Sequence, residues 1–224
     1  HCTEAIYLAL RVLDIGPGDE VIVPDFTWVA SASPITHVGA TPVFCDVDQN
    51  TFCLTANHIK SCITKKTKAI IGVDLLGNIP QWDEIIQLCK KNNIHIIEDA
   101  AEGLGAKYKK KSAGNFGAIS LFSFNATKLI MSGQGGAFCT NNENLYRKAK
   151  LLSNHGMNRE VSGKYYWSNT IGYNYRWTNI QAALALAQLR RIDELLNYKK
   201  WLYESYFSNL KDIDGLYLNK FEDN

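Results

Sequence analysis

No Cys-x-x-Cys pair occurs in this sequence, although it holds six cysteines at positions 2, 45, 53, 62, 89 and 139. Several sit inside apolar runs, as Cys45 does in Pro42-Val-Phe-Cys45. Their scatter argues against a disulfide framework and for reduced core thiols of a cytoplasmic protein. The five histidines show no metal-ligand spacing, so no metal site is expected. No apolar run reaches the length of a membrane span, and no secretory leader is visible. Charge of one sign is also missing: 24 basic residues face 22 acidic ones, a formal net charge of +2. The densest basic run, Lys107-Tyr-Lys-Lys-Lys111, is short and reads as a solvated hairpin tip, so neither nucleic acid nor membrane is an expected partner. Internal repeats and low-complexity segments are absent. The chain starts at His1, immediately before a helical pattern, and ends in a polar segment at Asn224; a piece of a longer protein is expected.

What is present is a globular composition, 46% hydrophobic and 21% charged over 224 residues. Short apolar runs alternate with amphipathic ones. Strands are expected at 20–24, 42–47, 68–73, 94–99, 118–124 and 136–140. Helices are expected at about 4–13 with Thr3 as cap, 26–38, 55–63 with Thr55 as cap, 80–92 with Pro80 in first position, and 143–153. This alternation with short connections predicts an α/β fold, a three-layer α/β/α arrangement around a mostly parallel sheet. Ligands then gather beyond the strand C-termini. Thr178 and Gln181 match a capping box, and the pattern behind them predicts one long helix to about Leu210, with a stripe of Ile180, Ala183, Leu184, Ala187, Ile192, Leu195 and Leu196.

The chemistry centres on Phe122 to Gly136. An apolar strand delivers Lys128 into a glycine-rich turn, and a second apolar run follows at once. A lysine desolvated between strands is an amine that forms Schiff bases. Asp99 closes another strand, and Thr3 opens a helix whose N-terminus can hold a phosphate. Each has an ordinary alternative: a solvated loop lysine, a turn acid, an empty cap. Together they describe a site for pyridoxal 5'-phosphate. A dinucleotide site is disfavoured, because the glycines at 133–136 are not a GxGxxG opening a helix.

The stretches Cys2-Thr-Glu-Ala-Ile, Gly16-Pro-Gly-Asp-Glu-Val-Ile-Val-Pro24, Thr27-Trp-Val-Ala30, Gly39-Ala-Thr-Pro-Val-Phe44, Glu98-Asp-Ala-Ala-Glu102, Phe122-Ser-Phe with Lys128 and Gly133-Gln-Gly-Gly136, and Gly172-Tyr-Asn-Tyr-Arg176 with Gln181-Ala-Ala and Gln188-Leu occur in this order. They resemble the DegT/DnrJ/EryC1/StrS sugar aminotransferases, of aspartate aminotransferase fold type, over essentially the whole chain. The resemblance implies Lys128 as Schiff-base lysine and proton carrier, and Asp99 as partner of the pyridinium nitrogen. Trp28 would stack on the cofactor ring; its alternative is an ordinary core tryptophan. Thr3, the Glu4 N–H and Ser123 would hold the phosphate, and Asn174 would reach the cofactor of the neighbouring subunit in a homodimer. Glu102 would bond the phenolic oxygen, where many relatives carry Gln, and Cys2 stands where Gly is common.

A dehydratase branch of that family carries His at the lysine position, so Lys128 favours transamination. The segment from His155 through Tyr165-Tyr-Trp167 to Ala183 resembles the GDP-perosamine synthase-like branch, and viosamine-forming relatives look much the same; these aminate C4 of a nucleotide-linked 4-keto-6-deoxyhexose with glutamate as donor. Tyr165, Tyr166, Trp167 and Arg176 would suit a nucleotide sugar or a packed dimer contact. A C3 sugar or cyclitol aminotransferase is the alternative within enzymes, and a non-catalytic relative is the alternative outside them. The same resemblance divides the chain into a cofactor-binding large domain, 1–195, and the start of a small C-terminal domain, 196–224.

Overall fold

The computed structural model describes residues 1–158 and 166–218. Six strands form one sheet in the order β2-β1-β3-β4-β7-β8. They are β1 (Glu20–Pro24), β2 (Thr41–Cys45), β3 (Thr67–Val73), β4 (His95–Asp99), β7 (Ile119–Ser123) and β8 (Gly136–Cys139). All neighbours pair parallel except β7 and β8, which pair antiparallel with Ser123 opposite Gly136. A separate two-stranded hairpin, β5 (Lys107–Tyr108) and β6 (Lys111–Ser112), holds the basic run at its tip.

The strands are apolar along their length because both faces are covered. Val21, Val23, Ala69, Ile71, Val73 and Ile97 belong to one core, packed under α1 (Cys2–Val12), α2 (Ser33–His37) and α5 (Glu143–Leu152). Ile22, Ile70 and Ile96, the alternate residues, belong to the second core under α3 (Ala56–Cys62) and α4 (Trp82–Asn92). Trp82 is fully buried there and lies on Gly72, where a Cβ would fall 2.4 Å from the indole. The architecture is the expected three-layer α/β/α.

Helix starts differ from expectation in places. Thr55 caps α3 by accepting from His58 N–H at 3.2 Å. Thr3 caps nothing: Ala5 N–H donates to His1 O, which closes the first turn of α1 over His1 and puts Thr3 inside the helix. Pro80 precedes α4, which starts at Trp82 after Gln81. Residues 26–38 are not one helix but an extended Trp28, a 3₁₀ turn at Val29–Ser31 and the short α2.

The expected long C-terminal helix is two helices, α6 (Asn179–Leu189) and α7 (Ile192–Leu210). The capping box of Thr178 and Gln181 is formed. Between the helices Arg191 leaves helical geometry at φ −110°, ψ 19°, with its N–H on Gln188 O. The expected apolar stripe is not core here: Ile180 is 76% exposed, and among the described residues of α6 and α7 only Ala185 is buried.

Candidate active site

Parallel strands align their C-terminal ends, and Asp99 and Ser123 end β4 and β7 on that edge, with Glu102 and Lys128 on the turns that follow. Asp99 ends β4 and is buried. It accepts from Ser31 Oγ at 2.8 Å and from Ala101 N–H at 3.2 Å. Burial raises its carboxyl above the usual carboxylate range; the Ser31 and Ala101 bonds and the Lys128 charge pull the other way. Ser31 arrives from the turn behind β1, so the bond ties two strand ends together. Nothing in the sequence marks Ser31 for this role.

Lys128 lies five residues past the end of β7, in the turn that leads to β8. Its side chain is 21% exposed, and Nζ pairs with Glu102 Oε1 at 3.0 Å. The lysine is thus mostly covered and also held by a charge partner. Glu102, on the turn after β4, also accepts from Leu76 N–H at 3.0 Å. The turn around Lys128 is fastened by Gln188 of α6, which accepts from Met131 N–H at 3.1 Å and donates to Met131 O at 2.8 Å.

The N-terminus of α1 meets the same edge. A Cβ on Gly136 would fall 2.8 Å from His1 O and 2.9 Å from Cys2 backbone atoms, so the first turn of α1 lies directly on the start of β8. Asp99 and Lys128 both act on the buried Cys2 thiol, in opposite senses, while burial dominates and raises it. No side chain caps α1, which leaves the N–H groups of Cys2, Thr3 and Glu4 without intrahelical acceptors. Ser123, opposite Gly136, adds a hydroxyl. Donors of this kind can cradle an anion such as a phosphate. An amine, a buried carboxyl and an anion cradle on one edge suit pyridoxal phosphate chemistry by their donor set.

Trp28 is 75% exposed, so it is not a core tryptophan. It stands on the segment between β1 and Ser31, with its ring free for a ligand or a partner. Asn174 is exposed on a segment pinned by backbone bonds from Tyr173 N–H to Leu152 O and from Tyr175 N–H to Ser153 O. Tyr7 of α1 and Tyr173 join their hydroxyls at 3.1 Å, and Tyr173 stacks on Tyr175. Asn174 thus sits on a braced loop, where it lines one cavity with His1 and Glu4 of the α1 start and with Gly136 of β8. Arg176 donates to Asn154 Oδ1 at 3.4 Å, and Tyr166 and Trp167 are exposed. Tyr165 lies outside the described residues.

Known proteins share this arrangement of sequence and fold. The GDP-perosamine synthase of Caulobacter vibrioides is 47% identical over 194 residues, 87% of this chain and 52% of its own. That of Escherichia coli O157:H7 is 43% identical over 211 residues, 94% of this chain and 57% of its own. The chain thus spans about half the length of these curated relatives. Among solved structures, Spr1654 of Streptococcus pneumoniae in its PLP form superimposes with a TM-score of 0.87 at 36% identity, covering 94% of this chain and 58% of that one. With its motifs, its fold and a match across residues 1–224, this chain belongs to the DegT/DnrJ/EryC1/StrS aminotransferase family.

Proposed function

We propose that the chain is the cofactor-binding part of a pyridoxal phosphate-dependent aminotransferase that moves an amino group from glutamate to C4 of a nucleotide-linked 4-keto-6-deoxyhexose. The observation that carries this reading is the meeting of Lys128, Asp99 and the α1 N-terminus at one sheet edge. The C4 assignment is supported by the relatives named GDP-perosamine synthase. When bound, pyridoxal phosphate supplies an electron sink for the carbon that loses a proton.

The N–H groups of Thr3 and Glu4 and the Ser123 hydroxyl would hold the phosphate. Asp99 would face the ring nitrogen, with Ser31 keeping its carboxylate in place. Trp28 would cover one ring face. Glu102 would serve the phenolic oxygen and release Lys128 Nζ, whose task is to carry the proton between the two carbons of the amino transfer. Asn174 would serve the partner subunit's site in a homodimer. The apolar side chains left exposed on α6 and α7 fit such a partner. Residues 1–195 would be the large domain and 196–224 the entry to a small one. The six cysteines are free, which fits a reducing compartment, and we assign the protein to the cytoplasm. Its product would feed glycan or surface polysaccharide synthesis.

The test uses the full-length protein. Pyridoxal phosphate should give a visible absorption band that Lys128→Ala abolishes. Amine formation should then be compared on nucleotide-linked 4-keto and 3-keto sugars and on a cyclitol ketone. Preference for either of the last two would overturn the C4 assignment, and a band that survives Lys128→Ala would overturn the role of the lysine.

A further inference from the structure

Asp74 is a buried acid that the chemistry above does not use. It follows β3 directly and is fully buried. Its N–H donates to Asp99 O at 3.0 Å, and two residues on, Leu76 N–H donates to Glu102 Oε2 at 3.0 Å. Residues 74–76 therefore hold the backbone of one active-site acid and the side chain of another. A Cβ on Gly103 would fall 2.4 Å from Asp74 Oδ2, so the turn that carries Glu102 rests on this carboxyl.

As a carboxylate, Asp74 is without support. Among the described residues no donor faces either oxygen. Its charged neighbours on β4 are the acids Glu98 and Asp99, and the Cys53 thiol faces it from the segment behind β2. Burial, and then those two acids, push its carboxyl well above the usual range. The β3–β4 register sets Gly72 beside Glu98, so Asp74, two residues on, lies on the Glu98 face of the sheet and the two carboxyls interact; as a carboxylic acid, Asp74 has the Glu98 carboxylate as its acceptor.

Glu98 is fully buried as well, yet richly supplied with donors. It accepts from Gly114 N–H at 2.6 Å, Phe116 N–H at 2.9 Å, Gly117 N–H at 3.4 Å and Ser120 Oγ at 2.6 Å. Two buried carboxyls in contact do not both ionise, and the charge stays on the one with the donors.

We propose that Asp74 is a positioning residue: a buried carboxylic acid that donates its proton to Glu98, pins residues 74–76 and so sets Glu102 opposite Lys128. The importance of that setting rests on the aminotransferase reading, whereas the shared proton does not.

Two variants of the full-length protein separate the possibilities. Asp74→Asn copies the neutral acid and can still donate to Glu98; Asp74→Ala cannot. Infrared difference spectra should show a buried carboxylic-acid carbonyl band in the natural protein that Asp74→Asn lacks. Trapping of Lys128 by pyridoxal phosphate and borohydride, read by peptide mass spectrometry, should be slowed about ten-fold by Asp74→Ala and almost unchanged by Asp74→Asn, as for loss of one buried hydrogen bond. If Asp74→Ala does not fold, Asp74→Ser, too short to reach Glu98, takes its place with the same expectation.

An absent carboxylic-acid band, or an Asn variant as slow as the Ala variant, overturns the proposal, because Asp74 would then act as an anion. An Ala variant that traps Lys128 at the natural rate removes the positioning role and leaves the aminotransferase reading intact. Failure to trap Lys128 in the natural protein sinks that reading, and the infrared band still decides the state of Asp74.

Discussion

Ser31 Oγ donates to Asp99 Oδ2 at 2.8 Å across 68 residues of sequence. It is the one side-chain donor on this buried acid among the described residues. Ser31→Ala leaves Asp99 only the Ala101 N–H, at a cost of about 1–3 kcal/mol to stability at neutral pH. The sign of the pH dependence follows from the raised carboxyl. A folded state that binds the proton more tightly than the unfolded one loses stability as pH rises through the folded-state value. Ser31 stabilises the charged form, so its loss raises that value further. Urea unfolding should show a larger defect at pH 7 than at about pH 3, below the free carboxyl value, where Asp99 is mostly protonated in both states. An equal defect at both values would mean that Ser31 acts by packing alone.

Gln188 brackets Met131 with two hydrogen bonds, to its N–H and to its carbonyl. It thereby attaches the turn carrying Lys128 to α6. Gln188→Ala should destabilise by about 1–2 kcal/mol, since two neutral bonds are lost at a half-exposed site. Exchange of the Met131 amide should rise, while that of Ile97 in β4 should be unaffected apart from the global stability change. Unaltered exchange at Met131 would show that the turn is held by other contacts.

The strands and both cores were legible because apolar alternation on a two-faced sheet is a local signal: Val21 and Val23 go to one core and Ile22 to the other. Asp99 was legible as an acid at a strand end. Ser31 was not, since its value comes from a partner 68 positions away and from the 3₁₀ turn that aims it. The charge partner of Lys128 was not legible for a related reason. Flanking strands are visible in sequence, but the reach of Glu102 is set by tertiary structure. The break at Arg191 carries no Gly or Pro, so propensity gave no warning of it.

Glu102 and Lys128 form a half-exposed pair, 34% and 21% accessible. Glu102→Gln keeps an oxygen for Leu76 N–H and removes the charge beside the amine. Such pairs contribute modestly, so thermal unfolding should register under about 1 kcal/mol. The variant should still bind pyridoxal phosphate, as a neutral amide can also bond a phenolic oxygen. Loss of cofactor binding in Glu102→Gln would assign the negative charge a role beyond pairing with Lys128.

Gly136 tests whether α1 is fitted to the edge for an anion. Its absent side chain is required by sterics and not by backbone angle: a Cβ would sit 2.8 Å from His1 O and 2.9 Å from the Cys2 backbone. Neither neighbour is a flexible side-chain tip that turns aside. Gly136→Ala must therefore shift the first turn of α1 away from Ser123, which faces Gly136 across the β7–β8 pair. Overpacking of this kind costs about 1–3 kcal/mol, and the same shift should weaken cofactor affinity by about ten-fold or more. Titration with pyridoxal phosphate followed by absorption, set beside titration with pyridoxal lacking the phosphate, locates the defect. If α1 holds the phosphate, the variant loses affinity for the first and not for the second. Equal loss for both would move the phosphate away from this helix.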